Sequence, residues 1–171
     1  MEDRAIVERQ LGRPPRAFHR VVVRCPFGMP AVTEQTPYDD ADEPFPTTYY
    51  VTCPHLVAAI SRLEAAGGVE RWSERVATEP ALAESLQRAT REQREVRSEL
   101  AGRKTGRDGG SSLELGIGGA RRPERLKCLH AHVAFAFARP GYELGERIAA
   151  EIDPLWPEKC CLDADPMIEP E

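Results

Sequence analysis

Five cysteines and four histidines carry most of the chemistry open to this 171-residue chain. The densest group is Lys127-Cys128-Leu129-His130-Ala131-His132. On a helix, Cys128 and His132 are four apart and share a face, a spacing that suits two ligands to one metal ion. His130 points roughly 200° away on a regular helix, and a frayed first turn would release it from that constraint. Two further thiols, Cys25 and Cys53, stand at the ends of strand-like segments, just before Pro26 and Pro54. If those strands are neighbours, both thiols lie on one sheet edge. Cys25, Cys53, Cys128 and His132 then form a set of three thiolates and one imidazole, as structural zinc prefers. His55 is the reserve nitrogen ligand. Thiolates equally suit an iron–sulfur cluster.

Two other readings of the same residues stand beside this one. Cys128 near a helix N-terminus has the setting of an activated thiol, with His130 or His132 as base, so Cys128 and His130 are the candidate catalytic residues. Gly116, Gly118 and Gly119, followed by Arg121 and Arg122, could cradle an anion on backbone N–H groups. A phosphatase-like loop is excluded, because no arginine appears in the seven residues after Cys25. The plainer reading is inert. No C-x-x-C pair is present, each cysteine fits as a small buried hydrophobe, and the glycines fit a packed turn. The vicinal pair Cys160-Cys161 reads as an anchor for the C-terminal tail, with a reach back to a metal as the alternative.

The elements that must position these groups follow from local pattern. Residues 3–11 read as a short helix stopped by Gly12. Residues 19–25, with three consecutive valines, read as a buried strand, and 31–36 return antiparallel after a Pro/Gly turn. Residues 47–53, rich in Thr and Tyr, are the clearest strand. Pro54 opens a helix at its favoured first turn, with Leu56, Ala59, Ile60 and Leu63 on the apolar face. A short helix around Trp72 follows. Thr78 caps the next helix, on which Leu82, Leu86, Ala89, Gln93, Val96 and Leu100 form a narrow seam with coiled-coil spacing. A helix opening near Pro123 and running to about Arg139 carries the Cys/His group, and a last short helix covers about 144–152. Few strands followed by many helices predict an α+β fold: an antiparallel sheet of about three strands, several helices, and one long charged helix as a hairpin arm. Residues 1–150 make one domain and 151–171 an acidic tail, seven acids against Lys159.

Composition narrows the classes. The net charge is −5, with 41% hydrophobic and 30% charged residues, which is ordinary for a globular protein. No uncharged run approaches the roughly 20 apolar residues of a membrane span. The acidic start Met1-Glu2-Asp3-Arg4 and the odd cysteine count predict a cytosolic protein with reduced thiols. The arginine-rich stretch 88–107 lacks interleaved aromatics, so it reads as a solvated helix and nucleic-acid binding is not expected. The seam on the 79–100 helix predicts either cover from a neighbouring helix or a homo-oligomer or protein partner there.

Five blocks together, RCPFGMP (24–30), PFPTTYYVTCPHL (44–56), SRLE (61–64), GIGG (116–119) and KCLHAH (127–132), resemble the bacterial domain-of-unknown-function family numbered five hundred and one. The resemblance covers about residues 19–150. It implies no assigned activity, only housekeeping gene neighbours that include a septum-formation initiator. The preferred expectation is therefore an uncharacterised cytosolic protein with a zinc-favouring Cys/His site. The alternatives are a thiol-dependent enzyme acting on an anionic small molecule, and a non-catalytic interaction module.

Overall fold

The computed structural model describes residues 2–164. Three antiparallel strands, β1 (Phe18–Arg24), β2 (Pro30–Gln35) and β3 (Tyr49–Val51), form one sheet in the order β1-β2-β3. Around it stand six helices: α1 (Asp3–Leu11), α2 (Pro54–Ala65), α3 (Gly68–Thr78), α4 (Pro80–Ala101), α5 (Leu129–Ala138) and α6 (Glu143–Ala149). The fold is α+β, as the sequence predicts. β2, in the middle, is buried at every residue. β1 is an edge strand, so its valines Val21, Val22 and Val23 are only half-buried rather than enclosed as their run suggested. Register shifts along the β1–β2 pair twist that edge.

α5 is the centre of the molecule. Its sequence LHAHVAFAFA is apolar nearly all round, which marks a helix enclosed on every side. It packs against β3, α2 and α6. Phe135 stands edge-on between Tyr49 and Tyr142, with ring centroids 5.5 and 5.4 Å away. α6 comes close enough to touch backbone, because Gly145 lies against the His132 carbonyl, the Ala136 methyl and the Tyr142 ring.

Several local expectations shift, each for a physical reason. The helix expected from about Pro123 begins at Leu129, because Cys128 adopts an extended conformation (φ −152°, ψ 161°) as its N-cap. Thr78 is the last residue of α3, where its hydroxyl donates back to the Glu74 carbonyl (3.0 Å), and Glu79 takes the N-cap of α4. The seam of α4 is buried at Leu82, Leu86, Ala89 and Gln93, then turns to Arg97 and Ala101, leaving Val96 and Leu100 half-buried. α3, α6 and the 3₁₀ turns Ser111–Glu114 and Ile117–Gly119 cover that helix. Arg97, expected on a solvated face, is fully buried. Its Nη1 donates to the Phe45 carbonyl (3.0 Å), and burial pulls its guanidinium down to about 10.

Part of the expected acidic tail packs on the body. Glu151 accepts two bonds from Arg71 (2.7 and 2.8 Å). Ile152 is buried, and the Trp156 ring packs on Phe137 with centroids 6.0 Å apart and the planes tilted by 48°. The tail acids Asp165, Glu169 and Glu171 lie outside the described residues. Among the described residues, no helix is long and apolar enough to cross a membrane.

The α5–α6 contact generates a direct test. A methyl at Gly145 has no free space, so Gly145→Ala is expected to destabilise the protein by about 1–3 kcal/mol, the usual cost of overpacking. Urea denaturation measures this, and an unchanged midpoint would contradict the packing described.

Candidate functional site

The last two turns of α2 meet the first turn of α5. Val57, Ser61 and Glu64 lie at helical spacing on one face of α2, and that face meets His130. Glu64 Oε1 accepts the Leu129 N–H (2.6 Å) and lies 3.0 Å from His130 Nδ1. The other ring nitrogen, Nε2, lies 3.3 Å from both the Val57 carbonyl and the Ser61 hydroxyl. Cys128 completes the group: one ligand atom each of Glu64, Cys128 and His130 lies within 4.8 Å of the others. All three residues are half-buried.

Electrostatics at Cys128 pull in two directions. Burial pushes its thiol up, and the Glu64 carboxylate adds to that; the N–H groups of Ala131 and His130, pointing at the sulfur, favour the thiolate. These opposing influences are those of a helix N-cap in an apolar setting. Cys128 and His130 line a cavity of about 510 Å³, walled by Tyr49, Tyr50, Val57 and Ala131. Among the described residues, no Lys, Arg, Asp or Glu lines this cavity.

The structure divides the four residues expected to share one metal. Among the described residues, Glu64, Cys128 and His130 are the only three potential ligands gathered closely enough. Cys25 and Cys53 line a separate small cavity together with Cys160 and Cys161. His132 faces away, toward α6, fully buried with Nδ1 2.7 Å from the Tyr142 hydroxyl. The reason is the late start of α5. With Cys128 at the N-cap rather than inside the helix, its sulfur turns back over the first turn, toward His130. His55 is engaged elsewhere, its Nε2 2.8 Å from the Pro154 carbonyl.

The glycine turn is built into the core. The Gly116 N–H donates to the Ala120 carbonyl (2.8 Å) and the Gly119 N–H to the Gly116 carbonyl (3.0 Å). Gln93 donates to the Gly116 carbonyl (2.7 Å). Gly118, at φ 69°, lies against Ala131 with no room for a side chain. None of Gly116, Gly118, Gly119 and the exposed Arg121 lines the large cavity. Sequence reasoning missed Glu64 as a member of the site. Its signal was the stripe 57, 61, 64 on one face of a helix whose other face is core.

His132 has a measurable consequence. Burial pulls its imidazole down to about 4 from the usual 6.5. The folded state thus holds it neutral while the unfolded chain takes up a proton. Its contribution to stability is complete above about pH 6.5 and is lost as pH falls toward about 4. Denaturation midpoints of wild type and His132→Gln between pH 7 and 4 should converge as pH falls, because only the wild type loses this contribution. Parallel curves would show that His132 does not titrate differently in the two states.

The model of a family described as "Protein of unknown function (DUF501)" matches residues 21–149. That span contains Cys25, Cys53, Glu64, Cys128, His130 and the glycine turn, and leaves Cys160 and Cys161 outside. No curated protein and no solved structure matches the chain.

Proposed function

The chain belongs to the DUF501 family, and we propose that it binds one zinc ion through Glu64, Cys128 and His130, in an open site that serves a small uncharged ligand. The observation that carries this reading is the arrangement of the His130 ring. Nδ1 faces Glu64 and the group it forms with Cys128, while Nε2 faces the Val57 carbonyl. A ligating histidine characteristically donates its second ring N–H to a carbonyl, which fixes its tautomer and aim. Ser61 braces the same nitrogen.

The donor types fit the ion. One thiolate, one imidazole and one carboxylate are the mixed set of a three-ligand zinc site with its fourth position left for water or substrate. A single thiolate is too few for an iron–sulfur cluster, which is held by several. Zinc in such a site lowers the pKa of bound water and polarises carbonyl oxygens. The chain's own part is to hold the three donors on two rigid helices. Cys128 and His130 present the site to the 510 Å³ cavity, whose uncharged wall favours a ligand with an apolar body. The five free cysteines suit a reducing cytoplasm.

The rival reading is a Cys128 nucleophile. Its support is the pair of N–H groups that favour the thiolate. Against it stands the same His130 geometry: Nε2 is engaged by Val57 and Ser61, and the Glu64 carboxylate, 3.0 Å away, competes with the Cys128 thiol for Nδ1.

Elemental analysis of protein purified without added metal tests the proposal. The expected result is about one zinc per chain in the wild type, at least tenfold weaker binding in Cys128→Ser and His130→Ala, and full retention in His132→Gln and Cys25→Ser. Zinc should also shield Cys128 from iodoacetamide. Absence of metal from the wild type, or retention in Cys128→Ser, would refute it. Rapid alkylation of Cys128 at pH 6 in metal-free protein would favour the nucleophile instead.

A further inference from the structure

Four of the five thiols take no part in the site above, yet they converge on one place. Cys25, Cys53, Cys160 and Cys161 line a cavity with only about 10 Å³ of open room, between the turn after β1, the start of α2 and the C-terminal segment. Three chain segments far apart in sequence supply them. Cys25 is held by the turn, its N–H donating to the Met29 carbonyl (2.9 Å) and its carbonyl accepting from the Gly28 N–H (2.9 Å). Cys53 is the N-cap residue of α2, and the N–H groups of Leu56 and His55 point at its sulfur. The C-terminal segment is brought in by the bond between His55 Nε2 and the Pro154 carbonyl (2.8 Å). Cys53 and Cys161 both line this narrow cavity, and Cys161 is the neighbouring thiol whose charge adds to the upward push on Cys53. Cys53 is buried, and Cys161 is half-buried.

We propose that Cys53 and Cys161 form a reversible disulfide, made by exchange with a low-molecular-weight disulfide such as oxidised glutathione, that clamps the C-terminal segment onto the start of α2. The more accessible Cys161 loses its proton, and its thiolate attacks one sulfur of the small disulfide. A protein–glutathione disulfide forms and one glutathione thiolate leaves. The Cys53 thiolate, oriented by the His55 and Leu56 N–H groups, then attacks the Cys161 sulfur and expels the second glutathione. Two protein thiols are oxidised and one small disulfide is reduced to two thiols. Burial pushes the Cys53 thiol up to about 11, so the second step quickens as pH rises.

Two other uses of the cavity are less well supported. No three of these four thiols lie within ligand distance of one another, so a thiolate metal site is not assembled there. A bond between the adjacent Cys160 and Cys161 would close a strained ring far from preferred disulfide geometry. The clamp also reaches the larger cavity, because Pro54 lines both.

Full-length protein incubated with oxidised glutathione, alkylated and mapped without reduction, tests this. The expected product is a Cys53–Cys161 cross-linked peptide that dithiothreitol removes. It should persist in Cys25→Ser and Cys160→Ser and disappear in Cys161→Ser, which changes only a half-buried position. Cys53→Ser should stop at the first step and carry one glutathione on Cys161. A different pairing, alkylation of both Cys53 and Cys161 after full exposure to the oxidant, or a bound zinc that survives Cys128→Ser but not Cys53→Ser would each overturn the proposal. Of these outcomes only zinc retained in Cys128→Ser also bears on the metal reading of Glu64, Cys128 and His130; the pairing and alkylation results leave that reading untouched.

Discussion

One carboxylate oxygen holds the two halves of this fold in register. Glu64 Oε1, on the last turn of α2, accepts the Leu129 N–H at the first residue of α5. A helix start leaves its first amides unsatisfied and carries partial positive charge, so an acidic side chain from a neighbouring helix is well placed there. Cys128 stands at the N-cap, where the nearby amides of His130 and Ala131 favour its thiolate. Two of the candidate ligands therefore stand at the start of the central helix. Position of α5 and geometry of the site are one constraint, and neither can change without the other.

From that start α5 runs through the middle of the protein, with β3 on one side and α6 on another. An almost wholly apolar helix needs cover all round, and the fold supplies it with a sheet only three strands wide plus α2, α6 and the 117–119 turn. Polar residues caught in that enclosure have to be accommodated without charge or with a dedicated partner. His132 is neutral against Tyr142, whose hydroxyl burial holds well above its ordinary range. Arg97 spends its Nη1 on the Phe45 carbonyl and Thr48 (3.0 and 3.4 Å), tying α4 to the loop before β3. Gln93 does the same for the glycine turn, which in turn presses on Ala131 at the start of α5. The 111–119 segment thus serves the site by packing behind it.

The thiols illustrate how proximity in a fold departs from pattern in a sequence. A strand-end position was read correctly for Cys25 and Cys53, and both do lie near one end of the sheet. What the strand pattern could not show was that the chain beyond α6 folds back over that same end, carrying Cys160 and Cys161. The Arg71–Glu151 pair, Ile152 and the Trp156–Phe137 contact bring it there. A net acidic segment with a few large apolar residues is solvated or docked according to whether a matching surface exists, and its own composition is silent on that.

The sequence by itself determined the α+β class, five of the helices to within a few residues, and an antiparallel sheet of three strands, but not the order β1-β2-β3 that separates the Cys25 and Cys53 strands. Those features are local: apolar spacing, Pro at helix starts, Gly at helix ends and β-branched runs act over a few residues and leave a periodic trace. Only the tertiary structure decided that β1 is an edge, that Arg97 is buried, and that α5 begins at Leu129. It alone chose Glu64 and His130, rather than Cys25, Cys53 and His132, as the neighbours of Cys128. Side chains 64 or more positions apart meet through the packing of whole elements, and no spacing in the chain encodes that distance. The later start of one helix, at Leu129 rather than near Pro123, was enough to turn a thiol from one face to another, and with it the membership of the site.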